Sequence, residues 1–244
     1  MLLLLNSGPW FADWNYRVLA LLFRLLPPSG FRISIAEFII ANSLTSTWGF
    51  AVAYYLLWRT GDEKTVERRR RLMEITIACF LAVAVTLVMR SWAAWPSPTR
   101  VAEFQPLYPY YEWNVGNPNC FPSHSTLICL IVAIGILPLS RKLGAALIVF
   151  TLFAISLPRL YVGGHYPIDV VASAVLSVIS YVLVWAVGTQ PGVRKRLDWF
   201  TSRGLWTECS LLLWTFELGE GFRSSTLLLR AGMHLARHIV TGNL

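Results

Sequence analysis

The 244-residue chain is 55% hydrophobic and only 14% charged, with a mean hydropathy of +0.54, whereas an ordinary soluble domain carries about 25% charged residues. A water-soluble fold of this length cannot hide so much apolar surface behind a charged exterior, so the composition excludes one and selects lipid as the solvent. The net charge of +8 does not mark a nucleic-acid partner, because the basic residues sit in short runs beside apolar segments instead of along one stripe.

The opening MLLLLNSGPW has no basic flank and too short an apolar run for a cleaved signal peptide. Residues 14–27 are largely apolar, and their only charged residues are Arg17 and Arg24. Those two share a helix face, which predicts an N-terminal amphipathic helix at the membrane interface; the alternative is a sixth span whose arginines snorkel. Five later stretches approach the roughly 20 apolar residues needed to cross a bilayer: 36–58, 72–90, 122–139, 143–158 and 167–187. The fourth is short and ends at Pro158, which predicts a tilt or an end inside a protein-lined cavity.

The expected fold is therefore all-α, a polytopic membrane helical bundle with five or six transmembrane helices. It divides into an N-terminal interfacial segment, 1–30, a transmembrane domain, 31–188, and a cytoplasmic or membrane-surface extension, 189–244. The run Arg68 to Arg71, the pair Arg141 and Lys142, and the run Arg194 to Arg196 fall in alternate loops. Positive charge collects on the cytoplasmic side, so loops 91–121 and 159–166 are expected to face outward. The tail holds an apolar stretch, 205–216, and an amphipathic one, 223–240, open to a membrane-surface or a partner-binding role. Nothing in the sequence sets the oligomeric state.

Cys79, Cys120, Cys129 and Cys209 are widely spaced, which indicates neither a zinc site nor a disulfide framework. His234 and His238 are four apart but lack a third ligand and read as surface histidines. Tyr108, Tyr110, Tyr111 and Trp113 in the long outer loop can cover a lipid headgroup or simply anchor at the interface.

Ionisable residues at span ends are costly unless they do something, and two segments concentrate them. In the first, Arg159-Leu-Tyr-Val-Gly-Gly-His165-Tyr-Pro-Ile-Asp169, Pro167 suits the first turn of a new helix. Asp169 can then reach back to one imidazole nitrogen of His165, fixing the tautomer and stabilising the charge that develops when the other nitrogen attacks. Arg159 can fork onto two phosphate oxygens, and Gly163 and Gly164 allow a close backbone approach. In the second segment, Pro122-Ser123-His124-Ser125 opens the third span, where a helix N-terminus accepts an anion. Ser123 can add a hydroxyl donor, and His124 can protonate a leaving oxygen.

These segments resemble the signature of the type-2 phosphatidic acid phosphatase superfamily over roughly residues 36–187. That pattern is a Lys, six residues and Arg-Pro; then Pro-Ser-x-His; then Ser-Arg, five residues, His, three residues and Asp. Arg159, His165 and Asp169 match the third motif, and Tyr166-Pro167 is similar to its membrane members. Three positions depart: Pro158 replaces Ser, no residue separates Ser123 from His124, and Arg90 begins a first motif in which Ser97 replaces Arg, with Arg100 as a candidate substitute.

The resemblance implies a lipid phosphatase in a bacterial inner membrane, with its site outward. His165 would be the nucleophile, Asp169 its partner and His124 the acid. Arg159, Ser123, Arg90 and Arg100 would hold phosphate, with no metal or other cofactor, since arginines supply the positive charge. The substrate would be a lipid phosphate or diphosphate, undecaprenyl diphosphate among them. Two other readings stay open: a lipid phosphotransferase using the same phosphohistidine intermediate, and a degenerate, non-catalytic binder of lipid phosphates.

Overall fold

The computed structural model describes residues 9–61, 64–92, 95–109, 119–202 and 204–220, which contain helices and no strand. The opening residues 1–8, the aromatics Tyr110, Tyr111 and Trp113, and the tail stretch 223–240 with His234 and His238 lie outside the described residues.

α1 (Pro9–Leu25) buries Asn15, Leu19 and Phe23, spaced four apart, and exposes Arg17 and Arg24. α2 (Gly30–Ala41) follows, capped by the Ser29 side chain. The single span expected over 36–58 is not there. The chain breaks at Asn42, whose side chain accepts from the Leu44 N–H to open the short α3 (Ser43–Ser46), and α4 (Trp48–Arg59) begins only after Thr47. Asn, Ser and Thr bond locally to the backbone and so compete with a continuous helix.

Among the described residues, three helices are long and apolar enough to cross a membrane: Thr65–Arg90, Arg141–Tyr161 and Pro167–Gly188. A fourth crossing exists if Phe11–Leu25 and Gly30–Ala41, bent by 115° from each other, act as one. The first of the three lies in α5 (Thr65–Trp92). The second joins α7 (Arg141–Phe150) to α8 (Leu157–Tyr161) through a π-helical stretch, Thr151–Ser156. Pro158 therefore does not end the helix, as its sequence position suggested. The wider π turn relieves the clash of the ring with the preceding turn, and the span runs on past Arg159.

α6 (His124–Ile136) is only 13 residues long and lies at the centre of the bundle, buried from Thr126 to Ala133 and again at Gly135 and Ile136. α9 (Pro167–Gly188) packs along it through small residues. The Ser173 hydroxyl lies 3.1 Å from the Ser123 carbonyl, and the Ser177 hydroxyl donates to the Leu127 carbonyl at 3.0 Å. A Cβ on Gly135 would overlap the Ile75 side chain, so α5 and α6 also meet closely.

In the tail, α10 (Pro191–Thr201) is held to α5 by Arg70 and Asp198 at 3.6 Å. α11 (Gly204–Gly219) docks back on α4, where Thr47 donates to the Gly219 carbonyl and Trp48 packs on Gly219. The first part of the extension is thus part of the bundle.

Chain direction sorts the two ends of this bundle. α5 and α8 finish, and α6 and α9 begin, at one end. Arg68 to Arg71, Arg141, Lys142 and Arg194 to Arg196 all lie at the other.

Candidate active site

The site occupies the end without the basic runs. After α8 the chain turns through Gly163, whose φ of +69° favours glycine. A Cβ there would come within 2.5 Å of Thr99 Cγ2 and 3.0 Å of the Tyr108 ring. The turn presents His165, and α9 starts at Pro167 with Asp169 as its third residue. Asp169 is fully buried, and its Oδ2 accepts from the Tyr166 N–H at 2.9 Å while lying 3.3 Å from His165 Nδ1. One carboxylate oxygen therefore caps the helix and contacts Nδ1 of the imidazole, which leaves Nε2 as the ring nitrogen not facing Asp169.

Burial depresses the His165 pKa below its ordinary value. The hydrogen bond and charge of Asp169 oppose that effect, and the charges of Arg159 and Arg90 add to it. Neutral imidazole, the nucleophilic form, is thereby favoured.

Arg159, near the end of its span, donates to the Ile155 carbonyl at 2.7 Å and to Ser125 Oγ at 3.2 Å. Its guanidinium has five N–H donors, so these bonds fix its direction and leave others for an anion. Arg90, at the end of the first long span, donates to the Pro122 carbonyl at 2.9 Å, and its own carbonyl accepts from Asn119 Nδ2 at 2.6 Å. This arginine is braced against the segment that opens α6.

His124 is the first residue of α6 and is partly buried. Ser123 precedes it and is fully buried, with Oγ 2.9 Å from Thr126 Oγ1, which lies 3.0 Å from Ser156 Oγ. The hydroxyl expected to meet an anion thus faces into the bundle, and Ser125 meets Arg159 instead. Arg100 ends the short 3-10 turn Pro98–Arg100. Its link to the site runs through Thr99, which packs on Gly163. Ser97, standing at the family's Arg position, is buried with Oγ 3.2 Å from Thr99 Oγ1.

Two residues escaped the sequence reading. Ser125 had a signal: set against Pro-Ser-x-His without a gap, it occupies the histidine position. Cys120 had none. Its thiol donates to Asp169 Oδ2 at 3.3 Å, a contact made 49 residues away in sequence. Cys120, His165 and Asp169 offer three possible ligand atoms for a metal ion, all within 4.8 Å of one another. Burial and the Asp169 charge push the Cys120 thiol well above its usual range, which favours the protonated thiol that donates to Asp169.

The comparisons with known proteins bear on these same residues. Residues 71–191 match the family model described as PAP2 superfamily. The undecaprenyl-diphosphatase BcrC of Bacillus subtilis (strain 168) is 24% identical over 165 residues, covering 68% of this chain and 79% of the relative. No solved structure matches. The matched segment contains Arg90, Arg159, His165 and Asp169 together with the helices that hold them, and this similarity to the PAP2 superfamily supports a phosphatase acting on lipid phosphates.

Proposed function

We propose that this phosphatase hydrolyses a lipid diphosphate, with undecaprenyl diphosphate as the leading substrate, through a phosphohistidine on His165 at the outer face of a bacterial inner membrane. The observation that carries the reading is the contact of His165 Nδ1 with the buried Asp169 carboxylate, beside Arg159 at the end of a membrane-length helix. The substrate class is supported by the name of the Bacillus relative. The outward orientation is supported by the basic runs gathered at the opposite end of the bundle.

In the proposed reaction, Arg159 and Arg90 hold the terminal phosphate, with Ser125 aligning Arg159, Ser123 shaping the turn that opens α6, and Arg100 at the rim. His165 Nε2 attacks phosphorus, forming the N–P bond as the bridging P–O bond breaks. His124 gives its proton to the leaving oxygen of the lipid monophosphate. The imidazole is stabilised by Asp169 as it becomes cationic. His124, now neutral, takes a proton from water, whose oxygen attacks phosphorus, breaks the N–P bond and releases inorganic phosphate. The arginines supply the charge that a metal would otherwise bring, so a chelator is expected to leave the rate unchanged.

The test is phosphate release by the purified chain from a panel of undecaprenyl diphosphate, phosphatidate and phosphatidylglycerol phosphate, with His165→Ala in parallel. The reading expects release from the diphosphate to be fastest and the variant to be silent. An active His165→Ala enzyme would overturn the mechanism, and substrate consumed without equal phosphate released would favour phosphoryl transfer to another acceptor.

A further inference from the structure

Asp169 Oδ2 faces three groups from three places in the chain. The Tyr166 N–H is 2.9 Å away, His165 Nδ1 is 3.3 Å away and the Cys120 thiol is 3.3 Å away. We propose that Cys120 is a positioning residue, whose S–H bond pins the Asp169 carboxylate against the Nδ1 side of His165. This rests on His165 being the nucleophile.

A buried carboxylate needs donors, and the first comes from its own helix cap. A cap bond alone leaves the carboxylate to turn about its terminal torsion, which is broad. Cys120 supplies a second donor from outside α9, in the segment that precedes α6. Its N–H donates to the Trp95 carbonyl at 2.8 Å, and the adjoining Asn119 and Pro122 bond the carbonyl and the guanidinium of Arg90. The thiol thus ties the nucleophile's partner to the segment that braces a phosphate-holding arginine.

Thiol chemistry suits the task. A cation in this place would form an ion pair with Asp169 and compete with the imidazolium, whereas a neutral S–H donates weakly and leaves the carboxylate its charge. Cys120 and Asp169 are both fully buried, so water does not replace the bond.

The test uses the full chain in detergent micelles, assayed with undecaprenyl diphosphate and with dioleoyl phosphatidate over a range of pH. Cys120→Ala is expected to lower kcat about 10-fold, the lower end of what loss of a supporting partner costs, with KM within about twofold. Without the S–H bond the carboxylate accepts more strongly from imidazolium, so the acid limb should move to higher pH. Cys120→Ser restores a donor and should recover most of kcat and the original limb. Cys120→Val, which fills the volume without a donor, should repeat the Ala result and carries the test if Ala fails to fold.

Wild-type kcat and limb in the Ala or Val enzyme would overturn the proposal. So would a fall in kcat with an unmoved limb and no rescue by Ser, the mark of a merely packed residue. His165→Ala separates the two possible failures. If it is inactive while Cys120→Ala behaves as wild type, this proposal alone falls. If it is active, the nucleophile assignment falls and this proposal with it.

Discussion

The two arms of the site differ in how tightly they are specified. The nucleophile arm, Arg159 to Asp169, is one short stretch in which a helix end, a glycine turn and a helix cap place every group locally. The phosphate arm draws Arg90 from α5, Ser125 from α6 and Arg100 from a separate turn. It departs from the family pattern at Ser97 and at the Ser123–His124 step. An in-line attack requires one geometry around one nitrogen, whereas positive charge around a phosphate can be delivered from several directions. Local geometry therefore holds the first arm to its spacing, and the second can be rebuilt.

That contrast can be broken most forcefully at His165. Replacement by Ala is expected to lower kcat by about 10⁴-fold or more, the scale on which loss of a catalytic nucleophile acts. Next comes His124→Ala, expected to cost about 10²- to 10⁴-fold in kcat as a lost general acid. Ser125→Ala is its control, expected to act mainly on KM by loosening Arg159; a reversal of the two effects would assign the acid's place in the helix to Ser125. Arg159→Lys should then cost more than Arg90→Lys, because Lys loses the fork that bonds Ile155 and Ser125 while aiming at phosphate. Equal losses in kcat/KM would show the arms to be equally demanding.

The smallest effect is the pH dependence. Because His165 is depressed below its ordinary value, it stays neutral through neutrality, and activity should fall only as pH drops through that lowered pKa. Arg159→Gln removes a charge that depresses it and should move the acid limb upward. A limb at or above the ordinary histidine value in the wild-type enzyme would contradict the balance of burial over the Asp169 contact.

The sequence is informative where one local rule acts alone. α5 and α9 were legible because each carries a run of about 20 apolar residues or more, and the His165–Asp169 contact because a proline at a helix start puts the third residue within reach of the turn before it. The stretch 36–58 misled because averaged hydropathy conceals Asn42, Thr45, Ser46 and Thr47, which bond locally and cut the helix. Pro158 misled because the π-helical stretch Thr151–Ser156 before it accommodates the ring. Cys120 was invisible, since its role is set by a contact between segments that only the assembled bundle brings together.

The central claim is that His165 forms the covalent intermediate. It is tested most directly by mixing the enzyme with undecaprenyl diphosphate labelled in the terminal phosphate, quenching in alkali, where phosphohistidine survives, and mapping the labelled peptide. The account predicts label on His165 within the first turnover, absent in His165→Ala and increased in His124→Ala when a substrate with a good leaving group is used. Label on another residue, or full turnover with no labelled protein at any time, would contradict it.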